Sequence, residues 1–215
     1  DEMLKAEEEK ELGFGATRTV GDALMGNILE RYLRKYPEAR IHMEVDNTRE
    51  LLLRLDEGEI DFALVEGFFK KSEYESQVYS VENYIAVCSP DYQFREEPVS
   101  VEDLFQERLL LREEGSGTRE VLERYLSAKN LSLGDFRKVM EAGSLQTIKE
   151  LTKAGCGITF LYEVAVRREL ADGVLKRIPL EDFHISHEFA FIWRRGSIYA
   201  DRYRELFRRF SPAGI

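Results

Sequence analysis

Cysteine is scarce, with two residues in 215, at positions 88 and 156. Two thiols do not make the disulfide framework of a small secreted domain, so the fold must rest on its core. Cys88 ends an apolar run and Cys156 sits in Ala154-Gly155-Cys156-Gly157, and both are expected to be buried and reduced. Positive charge is thin as well: the formal net charge is −10, the pI is about 5.0, and no block of five or six Lys/Arg occurs. Neutralising phosphates takes clustered cations, so this chain by itself is a poor candidate for gripping DNA, RNA or an anionic membrane. No apolar run reaches the length of a membrane span, and residues 1–10 are too acidic for a signal peptide. The expectation is a soluble, cytoplasmic protein. Of three histidines, His184 and His187 stand near Glu188 in no zinc-like spacing, and His42 is remote. No metal or other cofactor is expected, and without a nucleophile, base and orienting group in any recognisable set, neither is catalysis.

What is present is apolar material in alternating periods. Hydrophobic residues make up 43% of the chain, enough for a core in one domain or in two lobes of about 100 residues each. Leu12 and Phe14 form a short apolar run that stops at Gly15-Ala16-Thr17-Arg18-Thr19. Leu24, Met25, Ile28, Leu29, Tyr32 and Leu33 then recur on one face of a 3.6-residue repeat, and Tyr36-Pro37 ends that helix. Thr17 and Thr19 thus stand at a helix mouth, where backbone N–H groups lack internal partners and suit an anion. Ordinary capping is the competing reading of these hydroxyls.

The pattern repeats. Arg40 to Val45 alternates as a half-buried strand, Asn47 or Thr48 caps a helix carrying Leu51, Leu52 and Leu55, and Asp61 to Val65 is a strand stopped by Glu66-Gly67. Further on come a strand at Tyr84 to Cys88, a short helix around Val101 to Phe105, and a strand at Leu109 to Leu111. The turn Glu113-Glu114-Gly115-Ser116-Gly117-Thr118-Arg119 then leads into a helix with Val121, Leu122, Tyr125 and Leu126. It lacks the Gly-Lys-Ser/Thr ending of a nucleotide phosphate loop, which leaves a small-anion cradle. Phe136 to Met140 reads as a strand, Ser144 as the N-cap of a helix from Leu145 to Lys153, and Ile158 to Tyr162 as a strand. A helix at Val164 to Leu170, a strand at Glu188 to Trp193 and an amphipathic helix at Ala200 to Phe210 complete the chain. Strand-helix alternation of this kind predicts parallel sheets whose ligands bind beyond the carboxyl ends of the strands.

In this order the residues resemble the effector-binding domain of LysR-type transcriptional regulators. The pieces are Gly13 to Gly21, Tyr36-Pro37, Gly58-Glu59-Ile60-Asp61-Phe62-Ala63-Leu64-Val65 before Glu66-Gly67, and Gly143-Ser144 through Ala154-Gly155-Cys156-Gly157-Ile158, over roughly residues 11–211. The resemblance implies an α/β fold of the periplasmic-binding-protein-like type 2, two Rossmann-like lobes joined by crossing strands. Lobe one would hold about 11–82 plus 194–215 and lobe two 83–193, with residues 1–10 the end of a linker helix. It also implies a small anionic effector, a carboxylate or inorganic oxyanion, held between the lobes. The domain would pair as an antiparallel homodimer through the helices at Leu24 to Tyr36 and Val121 to Lys129. DNA would be met only by an N-terminal winged helix-turn-helix domain that this sequence lacks. A solute-binding protein of a transport system is the alternative with the same fold and the same anion logic.

Carried over position by position, the family's site falls on Thr17, Arg18 and Thr19 at the first turn, on Thr118 with its neighbours Ser116 and Arg119 at the second, and on Ser144 at the third. Asn47 and Glu66 lie on the turns beside the first. The family often has a hydroxyl where Arg18 stands. An arginine there would favour an acidic ligand or fill part of the pocket.

Overall fold

The structure, a computed structural model, describes residues 11–212. The tail read above as a linker helix, residues 1–10, lies outside the described residues. The chain divides into two compact units, one running to Ser80 and resuming at Glu188, the other comprising Val81–His187.

The first unit is a sheet covered by helices. Strand β1 (Glu11–Thr17) pairs in parallel with β2 (Arg40–Asp46) on one side and β3 (Phe62–Val65) on the other, with Phe14 opposite both Met43 and Phe62. The late strand β9 (Ile185–Arg194) adds antiparallel to β3, Leu64 facing Phe191. From β1 the chain enters helix α1 (Arg18–Val20) directly, passes a π-helical turn (Gly21–Met25), and continues as α2 (Gly26–Lys35). Gly21 lets this turn lie close to β2, since a Cβ there would stand 3.2 Å from Val45. Helix α3 (Thr48–Glu57) ends at Gly58 in the left-handed conformation, φ 73°, which glycine adopts without steric cost. Its Leu51 and Leu55 bury against Ala63, Val65, Ala190 and Ile192. The last helix, α7 (Ala200–Phe210), brings Tyr203, Leu206 and Phe210 to the other face of the sheet. Phe62 is the hub of that layer: its ring stacks on Phe14 at 5.0 Å and on Phe191 at 4.6 Å, and meets Phe210 edge-on at 5.9 Å.

The second unit repeats the plan. Strand β4 (Tyr74–Cys88) carries the chain into it, and its Tyr84 to Val87 stretch pairs antiparallel with β7 (Thr159–Tyr162). The short strand β8 (Lys176–Arg177) pairs with the end of β4. Strands β5 (Arg108–Arg112) and β6 (Lys138–Ala142) run parallel, and β5 reaches Ile158 through a parallel bridge from Leu109. Gly157 is required at that bridge, because a Cβ would fall 2.5 Å from the Arg108 carbonyl oxygen. Helices α4 (Gly117–Ala128), α5 (Leu145–Lys153) and α6 (Glu163–Ala171) cover the strands. Leu145, Ala165 and Val166 close one core with Val87, Leu161 and Leu175.

Three expectations are corrected. The strand read at Tyr84 to Cys88 begins ten residues earlier, at Tyr74, and the one read at Phe136 to Met140 is displaced to Lys138–Ala142 by a 3-10 turn at Leu133–Asp135. Cys88 is buried, and burial pushes its thiol up to about 11, but Cys156 is exposed. It stands in the turn after α5, where Gly155 at φ 72° turns the chain outward. Among the described residues no helix is long and apolar enough to cross a membrane.

Candidate functional site

In the first unit, β1 ends at Thr17 and a helix begins at once, so the hydroxyls of Thr17 and Thr19 lie at a helix start. Thr17 makes no capping hydrogen bond with its side chain. Both hydroxyls instead donate to one carboxylate: Thr19 to Glu66 Oε1 at 2.9 Å and Thr17 to Oε2 at 3.3 Å. The Glu66 amide donates back to Thr17 Oγ1 at 3.3 Å, and its carbonyl accepts from Thr48 Oγ1 at 2.6 Å. Glu66 is 1% exposed, and Thr17, Thr19 and Thr48 are buried with it. The helix start is thus already occupied by a carboxyl group supplied by the chain itself. Arg18 points elsewhere, to Asp46 at 3.3 Å. Asn47 caps α3 by accepting from the Glu50 amide at 3.0 Å, as its position after β2 led one to expect. The structure therefore draws Thr17, Thr19 and Glu66 into one cluster and gives Arg18 and Asn47 structural partners beside it.

In the second unit, β5 ends at Arg112 and the turn through Gly115, at φ 90°, delivers Ser116 as the N-cap residue of α4. Ser116 has the extended backbone of a cap, but its hydroxyl caps nothing. It is 2% exposed, and its Oγ has no hydrogen-bond partner in the protein. Thr118 is buried two residues further in, and its carbonyl accepts from the Tyr84 hydroxyl at 2.7 Å, which ties the helix start to β4. Arg119 is held by Glu123 at 2.8 Å and Glu141 at 2.6 Å. Ser144 is exposed and caps α5 by accepting from the Thr147 amide at 3.1 Å.

Arg112 was absent from the sequence-derived set. Among the described residues it is the bulkiest charged side chain in the interior, 2% exposed, with Nε and Nη2 donating to Glu113 at 2.8 and 3.1 Å. Its third donor nitrogen, Nη1, is buried without a partner. The signal was available in Leu109-Leu110-Leu111-Arg112, a cation closing an apolar strand directly ahead of a glycine turn. Glu113 in turn packs near α5, its carboxyl carbon lying 3.8 Å from where a Gly143 Cβ would stand. Chemically, this arrangement offers hydrogen-bond donors to a small acceptor and holds no nucleophile with an adjacent base.

Comparison with known proteins agrees with this architecture. An uncharacterized HTH-type transcriptional regulator of Methanocaldococcus jannaschii, MJ0300, is 27% identical over 171 residues, 79% of this chain and 57% of its own length. Another, YeiE of Escherichia coli K12, is 27% identical over 179 residues, 83% of this chain and 60% of its own. A probable RuBisCO transcriptional regulator of Thalassiosira pseudonana is 25% identical over 195 residues, 88% of this chain and 64% of its own. The chain thus spans about three fifths of the length of these relatives. Among solved structures, the CcmR regulatory domain of Synechocystis PCC6803 in complex with 2-PG superposes with a TM-score of 0.80 at 19% identity, covering 95% of this chain and 98% of that one. The reduced form of OxyR superposes with a TM-score of 0.75 at 24% identity, covering 93% of each. These likenesses give the fold as the type 2 periplasmic-binding-protein-like fold of LysR effector-binding domains. Matched over residues 5–211 to the LysR substrate binding domain, the chain belongs to that family.

Proposed function

We propose that the chain is the effector-sensing and dimerising part of a LysR-type transcriptional regulator acting in the cytoplasm, and that its effector is a small anion, a carboxylate or inorganic oxyanion. The observation that carries this reading is Ser116: a buried hydroxyl at the start of a 12-residue helix that neither caps the helix nor meets another group. Buried polar atoms are nearly always satisfied, so one left over where helix N–H groups converge is a mark of ligand chemistry. Ser116 and Thr118 would contact the effector, with Thr17 and Thr19 of the first unit responding through Glu66. Arg18, Asn47, Arg119 and Ser144 would support these turns through the partners described above. DNA recognition and promoter control would belong to a helix-turn-helix domain outside this chain, and signalling would follow from the effector's unequal affinity for two arrangements of the domain. Family membership and helix-turn-helix relatives favour this over a transport solute-binding protein.

A thermal-shift panel of carboxylates and oxyanions tests it. A ligand at 100 times its dissociation constant adds about 2.7 kcal/mol of stability. At least one anion is expected to raise the melting temperature saturably, and Thr118→Leu, which fills the helix start with an apolar side chain, to abolish the response without unfolding the protein. A panel in which no anion acts, or one in which the variant responds like the parent, contradicts the proposal.

Dimerisation would use α2, whose Leu33 is 41% exposed beside partly exposed Leu29. Leu33→Glu is expected to shift the sedimentation coefficient from dimer to monomer. A parent chain that sediments as a monomer, or a variant that remains dimeric, removes α2 from the interface.

A further inference from the structure

The proposed effector site has one cation that the glycine turn does not supply. We infer that Arg112, at the end of β5, is the residue that selects the effector's charge, and that the site takes a monoanion in preference to a dianion. This rests on the anion-sensing reading above and sharpens it.

Both arginines near the start of α4 are in contact with carboxylates. Arg119 is shared by Glu123 and Glu141, so its charge is already answered. The charge of Arg112 is met by Glu113 as well, but Glu113 occupies only Nε and Nη2, in the two-pronged geometry that fixes a guanidinium plane. That clamp leaves Nη1 directed by the pair and not by solvent. Like the Ser116 hydroxyl, Nη1 is buried and has no partner in the protein. The two atoms belong to residues separated by one turn of chain, Glu113 to Gly115, and the Ser116 amide closes that turn on the Glu113 carbonyl at 3.2 Å. Two donors are therefore left over on the residues that flank one glycine turn, and the inference is that a single acceptor group meets both.

Charge decides which acceptor. Two guanidinium groups here contact three carboxylates, those of Glu113, Glu123 and Glu141. The start of α4 contributes about half a positive charge. The surroundings therefore carry no net positive charge before a ligand arrives, and what they offer an anion is hydrogen bonds from Nη1, Ser116 Oγ and the helix N–H groups. A monoanion adds one charge to be met by those bonds, whereas a dianion adds a second that nothing offsets, and a buried uncompensated charge is strongly disfavoured. The chemistry that fits is a single carboxylate, or an inorganic monoanion of similar size and planarity.

The test is calorimetric titration of the chain at about pH 8.5, where phosphate is almost wholly the dianion, and matched ionic strength with acetate and nitrate against sulfate and phosphate, repeated on Ser116→Ala and on the paired variant Arg112→Met/Glu113→Gln. The paired change removes the cation without stranding its carboxylate, which protects the fold. The expected result is binding of acetate or nitrate at least about tenfold tighter than of either dianion, weakened by Ser116→Ala and lost in the paired variant. Should the paired variant fail to fold, the selectivity of the parent chain alone decides. Sulfate or phosphate binding as tightly as the monoanions, or monoanion binding that survives loss of Arg112, overturns this inference while leaving anion sensing in place. Silence from all four anions, together with a silent thermal-shift panel, overturns both.

Discussion

Replacing Glu66 by alanine is expected to cost about 2–4 kcal/mol of folding stability, read as a lowered urea midpoint. The carboxylate is 1% exposed and accepts from Thr19 at 2.9 Å and from Thr17 at 3.3 Å. Loss of one partner from a buried hydrogen-bonded cluster costs about 1–3 kcal/mol for each group left unsatisfied, and relief of the carboxyl group's own burial offsets part of the loss. Alanine leaves both hydroxyls buried with one acceptor fewer, at the same helix start. Glu66→Gln keeps the shape, yet its amide nitrogen confronts a hydroxyl donor, so about 1–2 kcal/mol is expected. A loss below about 0.5 kcal/mol for alanine, the ordinary scatter of surface substitutions, contradicts the role assigned to Glu66.

The second large effect is expected at Phe62. Its ring is sandwiched between Phe14 and Phe191 and touched edge-on by Phe210, so it joins β1, β3, β9 and α7 at one point. Phe62→Ala should cost about 3–5 kcal/mol, the sum of lost transfer energy and a cavity that rigid neighbours cannot refill. Phe62→Leu restores most of the volume and should cost less than half as much, because the stacking geometry is lost but the space is not. Chemical denaturation followed by the fluorescence of Trp193, itself buried 6.0 Å from Phe191, reads this unit directly. An alanine variant within about 1 kcal/mol of the parent would show that the aromatic layer repacks and is no hub.

Much of the architecture could be read from periodicity. The helix closed by Tyr36-Pro37, the helix stopped at Gly58, and the helices at 145–153 and 200–210 all announced themselves, since each carries an apolar stripe and a stop residue. The first ten residues of β4 did not. Glu75, Ser76, Gln77, Glu82 and Asn83 give that stretch a partly exposed, polar pattern with no apolar run to mark a strand. A strand that carries the chain from one unit to the other buries little, so the hydrophobic signal on which strand reading depends is weak there.

The site was legible as positions and illegible as partners. Hydroxyls at Thr17, Thr19, Ser116 and Thr118 follow from strand-turn-helix order. That Thr19 would bond Glu66, 47 residues away, follows only from the parallel pairing of β1 with β3. Arg18 and Arg119, singled out as the neutralising cations, are engaged by Asp46 and by Glu123 with Glu141. Arg112, hidden at the end of an apolar strand, also carries a buried donor, Nη1, that no protein group meets. Local sequence cannot weigh one arginine against another, because which of them is satisfied depends on carboxylates brought in by other elements.

The most direct measurement is a titration of the isotope-labelled chain with acetate, following backbone amide resonances. The account predicts saturable shifts centred on Gly117, Thr118 and Arg119 at the start of α4, with smaller changes in the first unit near Thr17 and Thr19. Shifts confined to other surfaces, or resonances at the α4 start that stay fixed while an anion demonstrably binds, would contradict it.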